Sequence, residues 1–344
     1  MADQKLWAKI TEPGSILDEF IPRAASWRTP TQEKVRKGYG RWLDFLMSQG
    51  LMEPDSDPVE RIILANVRPY VLNLQTEVAP ETVWSYVTSL HQAAMAFAPI
   101  SEWSWLYKIT AKLKSRSNPT RQKHIRLRPA AEVFDWAANE MDALNTTSDY
   151  RPTVAIAYRD ALMIALLTAC PIRLRNLTMI AIGRHLMQVN DRYQLRFAPH
   201  EVKNNRYLTM ALPSALTPFL EMWLQQWRPR LCKSADLMSL WIDVRGGALG
   251  ARGIHAAITK RTKQAFGHPI NPHLFRDIAA TSTAIVTPAN IGIAGSILGH
   301  QTTQAVEDHY IHANQIEAGR QLRKSIIQLR ETPTPQKAQR KRSS

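Results

Sequence analysis

The sequence predicts a mainly α-helical chain in two units, a small all-α unit followed by a larger α+β unit with a small antiparallel sheet. Three observations carry this. Apolar residues recur at helical spacing in the first third of the chain. A Lys/Arg-dense run with Pro119 and Pro129, Lys112 to Ala130, then interrupts the pattern. Beyond it, Tyr193 to Phe197 alternates, and a turn and a second β-like stretch follow. At 344 residues the chain can bury more than one core, and 44% hydrophobic residues with 10 Trp is globular composition.

Residues 1–14 read as an N-terminal extension. In Thr29-Pro30-Thr31-Gln32, Thr29 is an N-cap, Pro30 stands at N1 and Gln32 at N3. Val35, Tyr39, Trp42, Leu43 and Leu46 follow on one helical face. Pro58 to Leu74 reads as a helix interrupted near Pro69. Another starts near Pro80 with Val83, Val87, Leu90, Ala94 and Phe97 on one side, and a short one follows Trp103 and Trp105. These make a helical unit over 15–115, a basic linker over 116–130 and a second unit over 131–330. In the second unit Val133 to Leu144 and Val154 to Ala169 are helical, the latter apolar enough for a central core helix. The β-region is Tyr193–Phe197, a turn at Glu201–Asn205, and Arg206–Met210. Helices return at Pro213–Trp227, Ile254–Phe266 and Gln315–Leu329, and the tail over 331–344 is too polar and basic to fold.

The charge balance, 44 Lys+Arg against 29 Asp+Glu, gives +15 and points to a polyanionic partner, nucleic acid or an anionic membrane surface. The longest apolar stretch, Ala161 to Ile172, is too short to span a bilayer, and no apolar leader is visible at the start. Cys170 ends an apolar run and Cys232 has no metal-ligand spacing with it. A buried free thiol in a reducing compartment is the reading, and cytoplasmic, nucleoid-associated localisation follows from it and the charge.

The residues that carry chemistry lie mostly between His273 and Tyr310. His273 and Arg276 form an HxxR pair, which one helix would turn the same way. His300 follows Leu298-Gly299, and Tyr310 comes ten positions later. A tyrosine hydroxyl, with a reference pKa of about 10, is a poor nucleophile at neutral pH. Attack on a phosphodiester needs cationic and imidazole groups around it. Upstream, Arg173 follows the core helix and Lys203 sits at the tip of the proposed hairpin.

The order Arg173, Lys203, His273, Arg276, His300, Tyr310 resembles the tyrosine recombinase (phage integrase) family: Arg after a core helix, Lys in a β-hairpin, HxxR, His after Leu-Gly, then Tyr. The resemblance covers about 130–320, and the stretch Thr31 to Leu46 is similar to the family's core-binding domain. It implies a helical core-binding domain joined to an α+β catalytic domain of tyrosine recombinase type. It also implies DNA cutting and rejoining through a 3′-phosphotyrosyl link, with no cofactor, metal or ATP. Arg173 and Arg276 would hold the phosphate, Lys203 protonate the leaving oxygen, His273 take the tyrosine proton and His300 hydrogen-bond the phosphate. Two positions depart from the family pattern. Asn176 stands where Glu is common, which bears on how Arg173 is supported, and Asp277 stands where His is common and takes a supporting role behind the site. Arg175 is the weaker alternative to Arg173.

The implied partner is double-stranded DNA, gripped by a two-domain clamp with Arg116, Arg121, Lys123, Arg126 and Arg128 against phosphates, and with no membrane role. The implied assembly is a homo-oligomer, a dimer on one site and a tetramer in synapsis. The apolar stripe of Gln315–Leu329 fits docking in trans or packing in cis. Two other readings remain open: a type IB topoisomerase-like relaxing enzyme, and a catalytically silent DNA-binding protein of the same fold.

Overall fold

A computed structural model describes residues 2–14, 21–52, 56–117, 126–146 and 151–286. The chain divides into two compact units, Met1–Gln122 and Lys123–Ser344.

The first unit contains α1 (Ala2–Thr11), α2 (Thr29–Ser48), α3 (Leu64–Glu77), α4 (Pro80–Phe97) and α5 (Ser104–Arg116). The stripes read from the sequence are its core: Val35, Tyr39, Trp42 and Leu46 of α2 and Val83, Val87, Leu90 and Ala94 of α4 are all buried. The two helices approach closely at Gly38, where a Cβ would stand 2.3 Å from that of Ser89.

Four local expectations are corrected. Arg28, not Thr29, is the N-cap of α2, and no side chain caps that end; Gln32 instead donates to the Ala24 carbonyl at 3.1 Å. Pro69 lies inside α3 without interrupting it. Burial of Val67, Tyr70 and Leu74 on that helix, at about 1.5–3 kcal/mol per large side chain, outweighs the roughly 3 kcal/mol a helical proline costs. Lys112 to Arg116, part of the basic run, are the last turn of α5.

Finally, α1 is a helix of the first unit's own core rather than a bare extension. Its Ile10 packs with Ala24 and Ala96. Its Asp3, nearly buried, accepts from the Tyr39 hydroxyl at 2.6 Å and from Arg61 Nη2 at 3.0 Å. Burial and then the Asp3 contact push the Tyr39 pKa upward. Arg61 is itself only 5% exposed, so Asp3→Ala strands a buried guanidinium. The expected loss is about 3 kcal/mol of the first unit's stability, read by denaturant unfolding; a loss under about 1 kcal/mol would mean that the pair behaves as a surface one.

The second unit begins with α6 (Ala130–Asn145) and α7 (Pro152–Ala169). By length and composition α7 could cross a membrane, but 67% of it is buried inside the protein, where it is the central helix of the core. After α8 (Leu174–Thr178) come β1 (Leu186–Val189), β2 (Arg192–Phe197) and β3 (Leu208–Ala211), an antiparallel sheet in the order β1-β2-β3. Leu186 opposes Leu195, which in turn opposes Met210. β1 was not read from the sequence. Its hairpin turns at Asn190-Asp191, both at positive φ, a residue pair suited to a two-residue turn.

The expected helix Pro213–Trp227 is present as a continuous helical stretch, opening with a short 3-10 turn (Ser214–Leu216) and α9 (Thr217–Met222). A π-turn (Trp223–Trp227) and α10 (Arg228–Leu231) continue it. Three indoles pin this region: Trp223 donates to Leu240 O, Trp241 to Leu177 O and Trp227 to Asn145 Oδ1, at 3.0–3.2 Å. The Trp241 bond holds the far end of α8. The last described helices are α11 (Ala251–Phe266) and α12 (Leu274–Val286).

Candidate active site

α7 stops where the Cys170 amide closes on Leu166 O at 2.7 Å and Pro171, lacking an N–H, cannot continue the ladder. Arg173 is thereby the N-cap of α8 and is half-buried. Arg276 lies in the first turn of α12, is 5% exposed, and donates through Nη1 to the Pro171 carbonyl at 2.8 Å. That bond brings two parts of the chain 105 positions apart to one place. Burial lowers the pKa of both arginines; for Arg276 the positive charge of Arg173 adds to it and Asp277 opposes it, leaving a value of about 10. Both guanidiniums stay charged at neutral pH, partly stripped of water and repelling each other. An anion between them would relieve both costs. Arg175, two residues on, is exposed.

His273 stands at the start of the helix that carries Arg276 rather than within it. His273 precedes α12 by one residue, and Asn271 Oδ1 accepts from the amides of His273 and Leu274 at 3.1 and 3.2 Å. This cap starts the helix after the histidine, leaving His273 exposed while Arg276 turns inward. Asp277 is half-buried beside Arg276.

Lys203 is exposed in the loop between β2 and β3. Behind it lies a buried polar cluster that the sequence reading missed. Glu201, 4% exposed, accepts at Oε2 from the Ala198 amide (2.9 Å), and at Oε1 from His185 Nε2 (3.1 Å) and Arg184 Nη2 (2.5 Å). His185 Nδ1 in turn accepts from the Ala181 amide at 3.1 Å, so Nε2 is the ring's donor. Burial by itself would raise the Glu201 pKa. The Ala198 amide, His185 and Arg184 reverse that and hold it at about 2. Its contribution to stability is therefore complete above pH ~4.5 and lost as pH falls towards about 2. Asn176, 2% exposed, donates from Nδ2 to the Glu201 carbonyl at 3.2 Å. No periodicity or motif marks Glu201 or His185 in the sequence; only the departure at position 176 hinted that support here is unusual.

Of the nine tyrosines, Tyr39, Tyr70, Tyr158 and Tyr193 are buried with raised pKa values, burial being the first cause in each. None of the four is a credible nucleophile. Cys170 is a buried free thiol, its pKa pushed up to about 12, and Cys232 is also free. Among the basic residues expected on DNA, Arg116 is exposed at the end of α5 and Arg126 is half-buried. Arg128 donates to Phe266 O at 3.3 Å and lies 3.7 Å from Glu132. Arg121, Lys123, His300, Tyr310, the Gln315–Leu329 helix and the tail lie outside the described residues.

The structure is similar to that of XerH site-specific recombinase bound to palindromic difH substrate, a post-cleavage complex. The TM-score is 0.56 at 15% identity, covering 92% of this chain and 93% of that one. It is also similar to the pre-cleavage complex of XerH with difH substrate (TM-score 0.55, 15% identity, 86% and 80% covered). At such identity the likeness is one of fold. Comparison with curated protein sequences returned no match. The model of the phage integrase family matches residues 136–317, the span that contains both arginines, the lysine loop and the HxxR pair. The chain therefore belongs to the phage integrase family and has the fold of the tyrosine recombinases.

Proposed function

We propose that the chain is a site-specific DNA recombinase that cuts and rejoins DNA through a covalent 3′-phosphotyrosyl intermediate. Family and fold support site-specific recombination; the observation that carries the chemistry is the convergence of Arg173 and Arg276 at the Pro171 turn. Two planar guanidiniums, always charged, are suited to the two non-bridging oxygens of one phosphodiester. In the proposed step the Tyr310 hydroxyl oxygen attacks phosphorus, the bond to the 5′-oxygen breaks, and the phosphate remains on the tyrosine. His273 takes the tyrosine proton, Lys203 gives one to the leaving 5′-oxygen, and His300 hydrogen-bonds the phosphate. Asp277 supports the charge of Arg276. Because the ester energy is retained, a 5′-hydroxyl from another strand reverses the step, and the arginines supply the charge stabilisation that a metal supplies in other phosphoryl-transfer sites.

The DNA partner is proposed on the net charge of +15 and on the family. Arg116, Arg121, Lys123, Arg126 and Arg128 would contact the backbone and make affinity fall steeply with salt. Arg128 would have to exchange its Phe266 and Glu132 contacts to do so. A homo-oligomer on DNA, in the cytoplasm, completes the reading.

The test is covalent capture. The full chain is incubated with a library of randomised nicked duplexes in EDTA and without ATP, and DNA is recovered from denatured protein. The expected result is enrichment of one sequence class joined to protein at its 3′-phosphate. DNA held only non-covalently, or covalent joining that stops in EDTA, contradicts the mechanism.

A further inference from the structure

We infer that Glu201 and Asn176 are positioning residues for Lys203, forming a buried bracket that fixes the root of the lysine loop to the helix that begins at Arg173. The inference rests on the recombination reading and concerns the same site.

The loop between β2 and β3 has two parts of different character. From Phe197 to Val202 it is tied down: Phe197 and Val202 are buried, and residues Pro199–Glu201 form a 3-10 turn. From Lys203 to Tyr207 it is largely exposed, with Asn205 at positive φ and Tyr207 80% exposed. Lys203 is the first residue beyond the tied part, so its Cα lies within about 7 Å of that of Glu201.

Side-chain hydrogen bonds add to this packing at the root. The Glu201 carboxylate is held by the Ala198 amide of its own turn and by His185, whose ring is oriented by the Ala181 amide and stacks on Phe197 at 5.2 Å. The Glu201 backbone carbonyl receives Asn176 Nδ2. Asn176 stands three residues after Arg173 in α8, and α8 is held at its other end by Trp241. A phosphate-binding arginine and the lysine root are thus linked by one short chain of bonds, Arg173 to Asn176 along the helix and Asn176 to Glu201 across to the loop.

The residue types are required. Asn176 must donate to a carbonyl, which an ionised carboxylate at that position could not do; its amide therefore acts on the root of the lysine loop. Glu201 must remain ionised while buried, which its three donors ensure. A buried carboxylate held by three donors is costly to disturb, because its loss leaves those donors without an acceptor. A general acid needs its ammonium within hydrogen-bond reach of the leaving oxygen, and a root displaced by about 1 Å lowers such transfer by up to a hundredfold.

The experiment compares two DNA duplexes of the captured site, one with the ordinary 5′-oxygen at the scissile phosphate and one with a bridging 5′-sulfur. Sulfur leaves without a proton, so it relieves any defect in Lys203 placement and no other. Glu201→Gln and Asn176→Ala are expected to slow adduct formation on the oxygen duplex by about tenfold or more and on the sulfur duplex by less than about threefold. Lys203→Ala should show the same pattern with a larger gap. DNA affinity should be unchanged. Should Glu201→Gln not fold, Asn176→Ala, which buries no new charge, carries the test. Equal slowing on both duplexes, or no slowing on either, overturns the bracket. If the unaltered chain joins neither duplex, the recombination reading itself falls and the bracket with it, and that result is visible before any variant is made.

Discussion

Tyr310→Phe should bind its DNA site with affinity unchanged within about twofold and yield no covalent adduct at all. The substitution removes one oxygen. Affinity comes mainly from cations spread along the backbone, and a single neutral hydroxyl adds little to it. Chemistry has no substitute for that oxygen, because a phenyl ring cannot attack phosphorus and the four buried tyrosines, with raised pKa values, lie in cores. Tyr207 is the informative control: it is 80% exposed in the same loop as Lys203, and Tyr207→Phe should leave adduct formation intact. The measurement is protein-linked DNA after denaturation on a nicked duplex. Adduct from the Tyr310 variant, or its loss from the Tyr207 variant, would move the nucleophile elsewhere.

The second large effect is expected at Arg276. Arg276→Lys should lower the rate of adduct formation by about 10²–10³, although charge is nominally conserved. Burial and Arg173 already bring this guanidinium down to about 10. A lysine starts about two units lower and, facing the same burial and the same neighbour, would hold its charge with a much smaller margin near neutral pH. Geometry is lost as well: Arg276 donates to Pro171 O through one arm of a planar group that carries five N–H donors. An ammonium cannot fork in this way. Arg175→Lys, at an exposed position of α8, should be nearly silent. If both substitutions cost the same, the effect is one of net charge on DNA binding and the site assignment fails. Single-turnover rates at saturating protein separate the two.

Much of the architecture was legible because helical burial is periodic. Val35, Tyr39, Trp42 and Leu46, or Val83, Val87, Leu90 and Ala94, face inward for reasons contained in their own spacing. The apolar run of α7 likewise announced a core helix. Local features whose partner is remote were read less well. Gln32, expected at N3 behind an N-cap at Thr29, instead bonds the Ala24 carbonyl. Pro69 looked like an interruption and is carried by its buried neighbours. β1 went unread although Asn190-Asp191 is a recognisable turn, since its strand is only four residues long and half exposed.

The family and the order of the candidate groups were legible along the chain, because they depend on residue types at ordered positions. Which groups meet depends on the folded chain. It set Arg276 against the Pro171 turn beside Arg173, put His273 outside the helix that buries Arg276, and placed Asn176 and Glu201 behind Lys203. The physical reason is that charge, dehydration and hydrogen bonding act over a few ångströms of space. Residues 25 or 105 positions apart enter each other's field only when the chain has folded.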